Sequence, residues 1–236
     1  MTPADLDTYV ARLGLNAVPS ATMEGVASLQ RRHRLVIPFE NIDVLLGRGI
    51  SLDPDAVFDK LVRQRRGGYC FEHNQLLLRV LQAMGIDARP LLARVWIIPT
   101  DGVPPRTHTL NLVTMDGYDW IVDAGFGAAY APPLPLIADS VTTGPDGAQH
   151  RLIRNADHGW MQERDGGEGF RPQFSFTTDP VEPADLALSN HWTATAPASR
   201  FTRHLITSIA LPRGMASLMD RAYTRHIGDE TSRSEI

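Results

Sequence analysis

Near Arg89 the spacing of apolar residues changes from helical to alternating, so neither an all-helical nor an all-strand fold can accommodate both parts of the chain. Upstream, Leu6, Tyr9, Val10 and Leu13 follow helical spacing as far as Gly14, and a second helix is expected from Thr22 toward Arg34, ended by Pro38. Asp53 is placed to cap a helix that has Pro54 in its first turn and carries Ala56, Val57, Leu61 and Val62. In RGGYCFEHNQLLLRVLQAMG two glycines break the preceding helix, and Leu76, Leu77, Val80, Leu81 and Met84 mark one face until Gly85. Cys70 therefore stands near a helix N-terminus. Downstream, RPLLARVWII and THTLNLVTM read as strands across the loop PTDGVPPR, and Asp116-Gly117 signals a tight hairpin before YDWIVDAGFG. The stretch 131–189 is rich in Pro, Gly and Asp, with strand-like pieces at HRLIR and QFSFTT that suit the rest of a barrel or twisted sheet. A last apolar segment runs through FTRHLITSIALP and MASLMDRAYTRH. The pattern predicts an α+β protein.

With 236 residues, 43% of them hydrophobic and 21% charged, the chain can bury roughly 70% of its unfolded surface without staples. A single cysteine excludes an intrachain disulfide and a zinc cage of several thiolates, which fits a reducing compartment. The opening MTPADLDTYVARLGL lacks a signal-peptide core, and no run approaches the ~18 apolar residues of a membrane span. A net charge of -4 argues against a general polyanion binder. These features predict a cytoplasmic enzyme or binding protein with no nucleic-acid or membrane partner; oligomeric state is not legible.

A lone cysteine is ordinarily a small buried hydrophobe. The setting of Cys70 points elsewhere: two glycines before it permit close backbone approach, a helix aims its positive end at the sulfur, and Arg63, Arg65 and Arg66 lie just upstream. Among the histidines, His33, His150, His158 and His226 sit in polar runs and are expected to be solvated, His73 is not aimed at the sulfur by its spacing, and His191 and His204 suit late-chain packing. His108 differs because the hairpin fixes its neighbours. If Met115 pairs with Tyr118, counting outward sets Leu110 opposite Asp123 and His108 opposite Gly125, so His108 and Asp123 share a face as diagonal neighbours. Gly125 would leave room beside the ring. Taken alone, the pair reads equally as a strand-end acid and a loop histidine; with Cys70 it reads as thiolate nucleophile, imidazole base and orienting carboxylate. A helix-borne Cys followed by a sheet carrying His and Asp is the papain-like arrangement. GAAY and DGGEGF lack a phosphate-loop pattern, and no His-x-x-x-His or Glu-x-x-His spacing suggests a metal.

Through RRHRLVIPFENID, LDPDAVFDKLVRQRRGGYCFEHN, PPRTHTLNLV and WIVDAGFG, and more loosely FSFTTDP and SNHWTATAPASRFTRHL, the chain resembles the arylamine N-acetyltransferases. The resemblance implies a papain-like fold in three parts: a helical bundle (1–87) carrying the nucleophile, a β-barrel (88–189) carrying the His and Asp, and an interdomain segment with an α/β lid (190–236). It implies Cys70, His108 and Asp123 as the triad. Phe39, Tyr69, Phe126 and Phe201 match aromatic positions of the acceptor pocket, Val95 falls near its wall, and Gly127 lies beside the acyl group, where a side chain would obstruct the pantetheine arm. Acetyl-coenzyme A would be the co-substrate, with no permanently bound cofactor and no metal, and arylamines, arylhydrazines or arylhydroxylamines the acceptors. Members of the family usually continue beyond GDETSRSEI, so a shortened lid with weaker coenzyme A binding is expected. Competing readings are an amide synthase acting on a polyketide chain, a catalytically silent binding protein on this scaffold and, against the fingerprint, a cysteine protease.

Overall fold

A computed structural model describes residues 1–98, 101–228 and 230–236; Pro99 and Thr100 of the expected PTDGVPPR loop, and Asp229, lie outside the described residues. The helical third comprises α1 (Pro3–Arg12), α2 (Met23–Val36), a short strand β1 (Phe39–Glu40), α3 (Ile42–Leu45), α4 (Pro54–Phe58) and α5 (Cys70–Ala83). The caps read from the sequence are present: Thr22 accepts from the Gly25 N–H at 3.2 Å, and Asp53 Oδ1 accepts from the Asp55 and Ala56 N–H groups at 3.1 and 2.9 Å. Beyond Phe58 the expected helix widens into a π-helical turn, Asp59–Arg63. Tyr9, Leu13, Leu29, Leu61, Leu76 and Val80 close the core of this part. Gly85, at φ +78°, ends α5 where a side chain would be strained. No helix among the described residues is long and apolar enough to cross a membrane.

The alternating half builds β2 (Asp87–Val95), β3 (Arg106–Met115), β4 (Tyr118–Val122), β5 (Leu134–Pro135), β6 (Val141–Thr143), β7 (Gln149–Asn155), β8 (Gly159–Asp165) and β9 (Arg171–Phe176). They form one antiparallel sheet in the order β5-β4-β3-β2-β9-β8-β7-β6. Its edge strands β5 and β6 are consecutive in sequence, and a bridge between Ala138 and Leu152 joins their link to β7, so the sheet curls into a nearly closed barrel. Leu91, Leu110, Ile121, Trp160, Phe174 and Phe176 fill it. Met115 pairs with Tyr118 as the Asp116-Gly117 turn requires. Leu77 and Leu81 of α5 pack with Val113, Val122 and Ala124, which brings the start of α5 against the barrel.

The C-terminal part is α6 (Pro183–Thr195) followed by an antiparallel meander of β10 (Ile206–Leu211), β11 (Gly214–Met219), β12 (Ala222–Ile227) and β13 (Glu230–Glu235). Two details differ from the three-part division read from the sequence. The 189/190 boundary falls inside α6, and β1, from the helical third, pairs with β10 as a strand of the C-terminal sheet. The architecture is α+β and papain-like in its order: a helix carrying the cysteine, then a sheet carrying the histidine.

Candidate active site

The double glycine lets two backbones meet at the start of α5. Gly68 bridges to Phe39, and a Cβ on Gly68 would lie 2.5 Å from Glu72 Oε2. That carboxylate accepts from the Tyr69 N–H at 3.0 Å and, through Oε1, from Lys60 Nζ at 2.7 Å, tying the N-terminal turn of α5 to its surroundings. Cys70 is the first residue of the helix and is 3% exposed; its Sγ points along the Thr107 carbonyl at 3.7 Å. The upstream arginines contribute differently from the expectation. Arg63 pairs with Asp5 at 3.2 Å and Arg66 with Asp43 and Glu40 at 3.0 and 3.3 Å, so both guanidinium charges are spent on carboxylates.

His108 and Asp123 meet as the hairpin count anticipated, though not as ladder neighbours. The β3–β4 ladder ends at Asn111 and Val122, which leaves Asp123 just past the strand, where its Oδ2 lies 2.7 Å from His108 Nε2. The other ring nitrogen is left for Cys70, whose influence on the ring comes after that of Asp123. Burial works against charge on His108, but Asp123 and then Cys70 outweigh it and push its pKa up to about 10. Burial likewise opposes charge on Asp123, yet His108, Asn74 and the Gly125 N–H hold its carboxyl below the usual range. Asp123 Oδ1 accepts from Asn74 Nδ2 at 2.9 Å and from the Gly125 N–H at 2.7 Å, while its own N–H donates to Gln30 Oε1 at 3.0 Å.

Cys70 and His108 open into a cavity of about 690 Å³ between barrel and lid. Phe39, Val95, Phe126, Gly127 and Phe201 line it, as does Trp192 from α6. His108 sits between Phe126 and Phe174, with ring centroids 5.2 and 5.3 Å away. Tyr69 is the departure: it is 0% exposed, outside the lining, and its hydroxyl hydrogen-bonds Asn190 Oδ1 of α6, so it holds the lid against the nucleophile helix. A Cβ on Gly127 would lie 2.7 Å from Phe39 Cδ1, so the bare backbone makes room for that ring as well as facing the cavity.

Gly125 also serves another neighbour than the one expected. A Cβ there would lie 2.6 Å from Asn74 Nδ2, 2.7 Å from Cys70 Cα and 2.9 Å from Cys70 O, so its absence admits the nucleophile helix rather than the imidazole. Because two of these contacts are backbone atoms, Gly125→Ala is expected to cost about 2 kcal/mol. Chemical denaturation should show that loss, and an unchanged midpoint would mean the backbones can separate freely.

Of the histidines expected to be solvated, His33 and His150 are buried, at 0 and 1% exposure. His73 Nε2 faces the Pro38 and Gly68 carbonyls at 3.1 and 3.0 Å and so must carry hydrogen. Its Nδ1 then accepts from His33 Nε2 at 2.7 Å, and His33 Nδ1 accepts from the Tyr9 hydroxyl at 2.8 Å. Burial holds both rings neutral, pulling His73 down to about 3. Sequence reasoning passed over Asn74, Gln30 and Arg34, although Asn74 follows Cys70, and Arg34 follows Gln30, at the four-residue spacing that puts two side chains on one helix face.

Comparison with known proteins identifies relatives of the whole chain. A family model described as N-acetyltransferase matches residues 22–236. The arylamine N-acetyltransferase of Escherichia coli (strain K12) is 38% identical over 215 residues, covering 91% of this chain and 75% of its own. The solved arylamine N-acetyltransferase from Salmonella typhimurium superposes with a TM-score of 0.94 at 33% identity, covering 100% of this chain and 86% of that one. The Mycobacterium marinum arylamine N-acetyltransferase, solved in complex with CoA, gives 0.92 at 31% identity, covering 98% and 86%.

Proposed function

Because the chain belongs to the arylamine N-acetyltransferase family, we propose that it carries an acetyl group from acetyl-coenzyme A to an arylamine, arylhydrazine or arylhydroxylamine by way of Cys70. The observation that carries this reading is the 2.7 Å His108–Asp123 hydrogen bond, with His108 and Cys70 together on the wall of an apolar cavity of about 690 Å³. The sulfur, having given its proton to His108, attacks the thioester carbonyl. As the tetrahedral adduct collapses, the C–S bond to coenzyme A breaks and His108 returns the proton to the departing thiolate. In the second half the amine attacks the acetyl-cysteine, His108 takes the amine proton, and the amide leaves as Cys70 is regenerated. Asp123 keeps the imidazole in one tautomer and balances its charge throughout. The Cys70 N–H, in the first turn of α5, has no intrahelical acceptor and is available to the oxyanion.

Phe39, Val95, Phe126 and Phe201 offer aromatic and aliphatic walls to a planar acceptor, while Gly127 leaves the acyl path open. Trp192 and Phe201, from the lid side, limit water at the acetyl-enzyme. A sulfur that must stay a thiol suits a reducing compartment such as the cytoplasm.

Initial rates measured by thiol release at several fixed arylamine concentrations test the scheme. Parallel double-reciprocal lines are expected, because coenzyme A leaves before the acceptor binds; intersecting lines would mean direct transfer without an acyl-enzyme. A panel that adds a long amino-terminated polyketide mimic separates the arylamine reading from an amide synthase.

A further inference from the structure

Beneath the site lies a charge that the acetyl-transfer scheme does not use. Arg34 of α2 is 1% exposed and forms no ion pair with a carboxylate among the described residues. A buried guanidinium is costly unless its donors and its charge are both met. Its donors go to the segment just past Asp123: the Phe126 carbonyl at 2.9 Å and the Ala124 carbonyl at 3.4 Å. Its charge acts chiefly with Asp123, and with Tyr130. Around it stand His33 on its own helix, His73 on α5, and Asp123 and Tyr130 after β4, with His108 one hydrogen bond further on, across Asp123. His33 and His73 are neutral in the hydrogen-bonded chain described above, and Tyr130 keeps its proton, its pKa raised to about 12 mainly by burial.

Apart from Lys60 and Glu72, which offset each other at 2.7 Å, four groups carry the charge. With Cys70 as a thiol and His108 protonated, Arg34 and His108 set two positive charges against Asp123 alone; with Cys70 as a thiolate the count closes at two against two. We propose that Arg34 is a positioning residue that works through Asp123, clamping the 124–126 backbone and supplying the buried positive charge that balances the ionised nucleophile. The inference rests on the reading of Cys70, His108 and Asp123 as the reacting set. Loss of this charge disfavours both anions, so the ionised state of the site should form only at higher pH.

The test is the rate of Cys70 alkylation by iodoacetamide as a function of pH, in the parent, Arg34→Gln and Arg34→Lys, with circular dichroism as the check on folding. In Arg34→Gln the midpoint of the profile should rise by about one pH unit. In Arg34→Lys, which keeps the charge and loses the two-carbonyl fork, the midpoint should stay near the parent value while the rate falls. A purely structural role would lower the rate at every pH and leave the midpoint in place. An unmoved midpoint in Arg34→Gln, or an equal rise in both variants, overturns the inference. If Arg34→Gln does not fold, Arg34→Lys decides alone, an unchanged midpoint supporting the inference and a displaced one contradicting it. A parent Cys70 that resists alkylation across the range would instead overturn the nucleophile reading, so the two failures are distinguishable.

Discussion

Cys70→Ser should fold as the parent does and lose acetyl transfer by roughly 10⁴- to 10⁶-fold. The side chain is small, buried at the first turn of α5 and directed at the Thr107 carbonyl, which a hydroxyl can also address, so the change leaves no hole worth a large stability loss. Chemically the two differ far more. A thiol ionises within reach of a protein imidazole, whereas an alkanol does not, and the thiolate that leaves as coenzyme A can be displaced reversibly by another sulfur but would leave a far more stable ester on oxygen. Rates measured beside thermal melting separate loss of chemistry from loss of fold. Turnover in Cys70→Ser within tenfold of the parent would remove Cys70 from the mechanism.

The second large effect is expected at Asp123. Asp123→Asn keeps the size of the side chain but changes what His108 meets: an amide in place of the charge that, against burial, holds the imidazole protonated. Asn74 and the Gly125 N–H, both donors to Oδ1, must also face a group that can present an NH₂. The change should lower acetyl transfer by about 10⁴-fold, the order found when an orienting aspartate is made an amide and the wrong tautomer results. It should also have a pH signature in stability. His108 has a raised pKa, so its contribution is fully present below the unfolded value of about 6.5 and is lost as pH rises through about 10. Asp123 has a lowered pKa, so its contribution is present above the unfolded value of about 3.9 and is lost as pH falls below it. The melting-temperature gap between parent and Asp123→Asn should thus be widest between about pH 4 and pH 6.5 and narrow toward pH 10. A gap that is flat with pH would show that the pair is not ionised as described.

What could be read from the residues, and what could not, divides along the range of the interactions. Thr22 and Asp53 cap helices through bonds two or three residues away, and Asp116-Gly117 fixes a hairpin register by itself, so these features were legible. The register carried the candidate site as well, since it brought His108 to Asp123 even though the ladder stops one residue short. Long-range pairing decided the rest. Arg66 looks like a cation near the sulfur until Asp43 and Glu40, more than twenty residues upstream, are seen to hold it. His33 looks solvated among arginines until α5 supplies His73 across the bundle. Tyr69 resembles a pocket wall because it adjoins Cys70, but α6 reaches back with Asn190 and takes its hydroxyl. β1 joins a sheet whose other strands begin at Ile206, and no local pattern of two residues could announce that. Gly125 lacks a side chain for the sake of α5 and not of the His108 ring, because strand geometry shows what lies across the ladder but not the helix packed upon it.

Acetyl transfer through a covalent intermediate on Cys70 is tested most directly by intact-mass measurement of the protein mixed with acetyl-coenzyme A and no acceptor, followed by addition of an arylamine. A single acetyl increment should form, map to the peptide that begins α5, be absent from Cys70→Ser, and discharge onto the amine with release of the N-acetyl product. An increment that forms equally on Cys70→Ser, or product that appears without any increment on the parent protein, would contradict it.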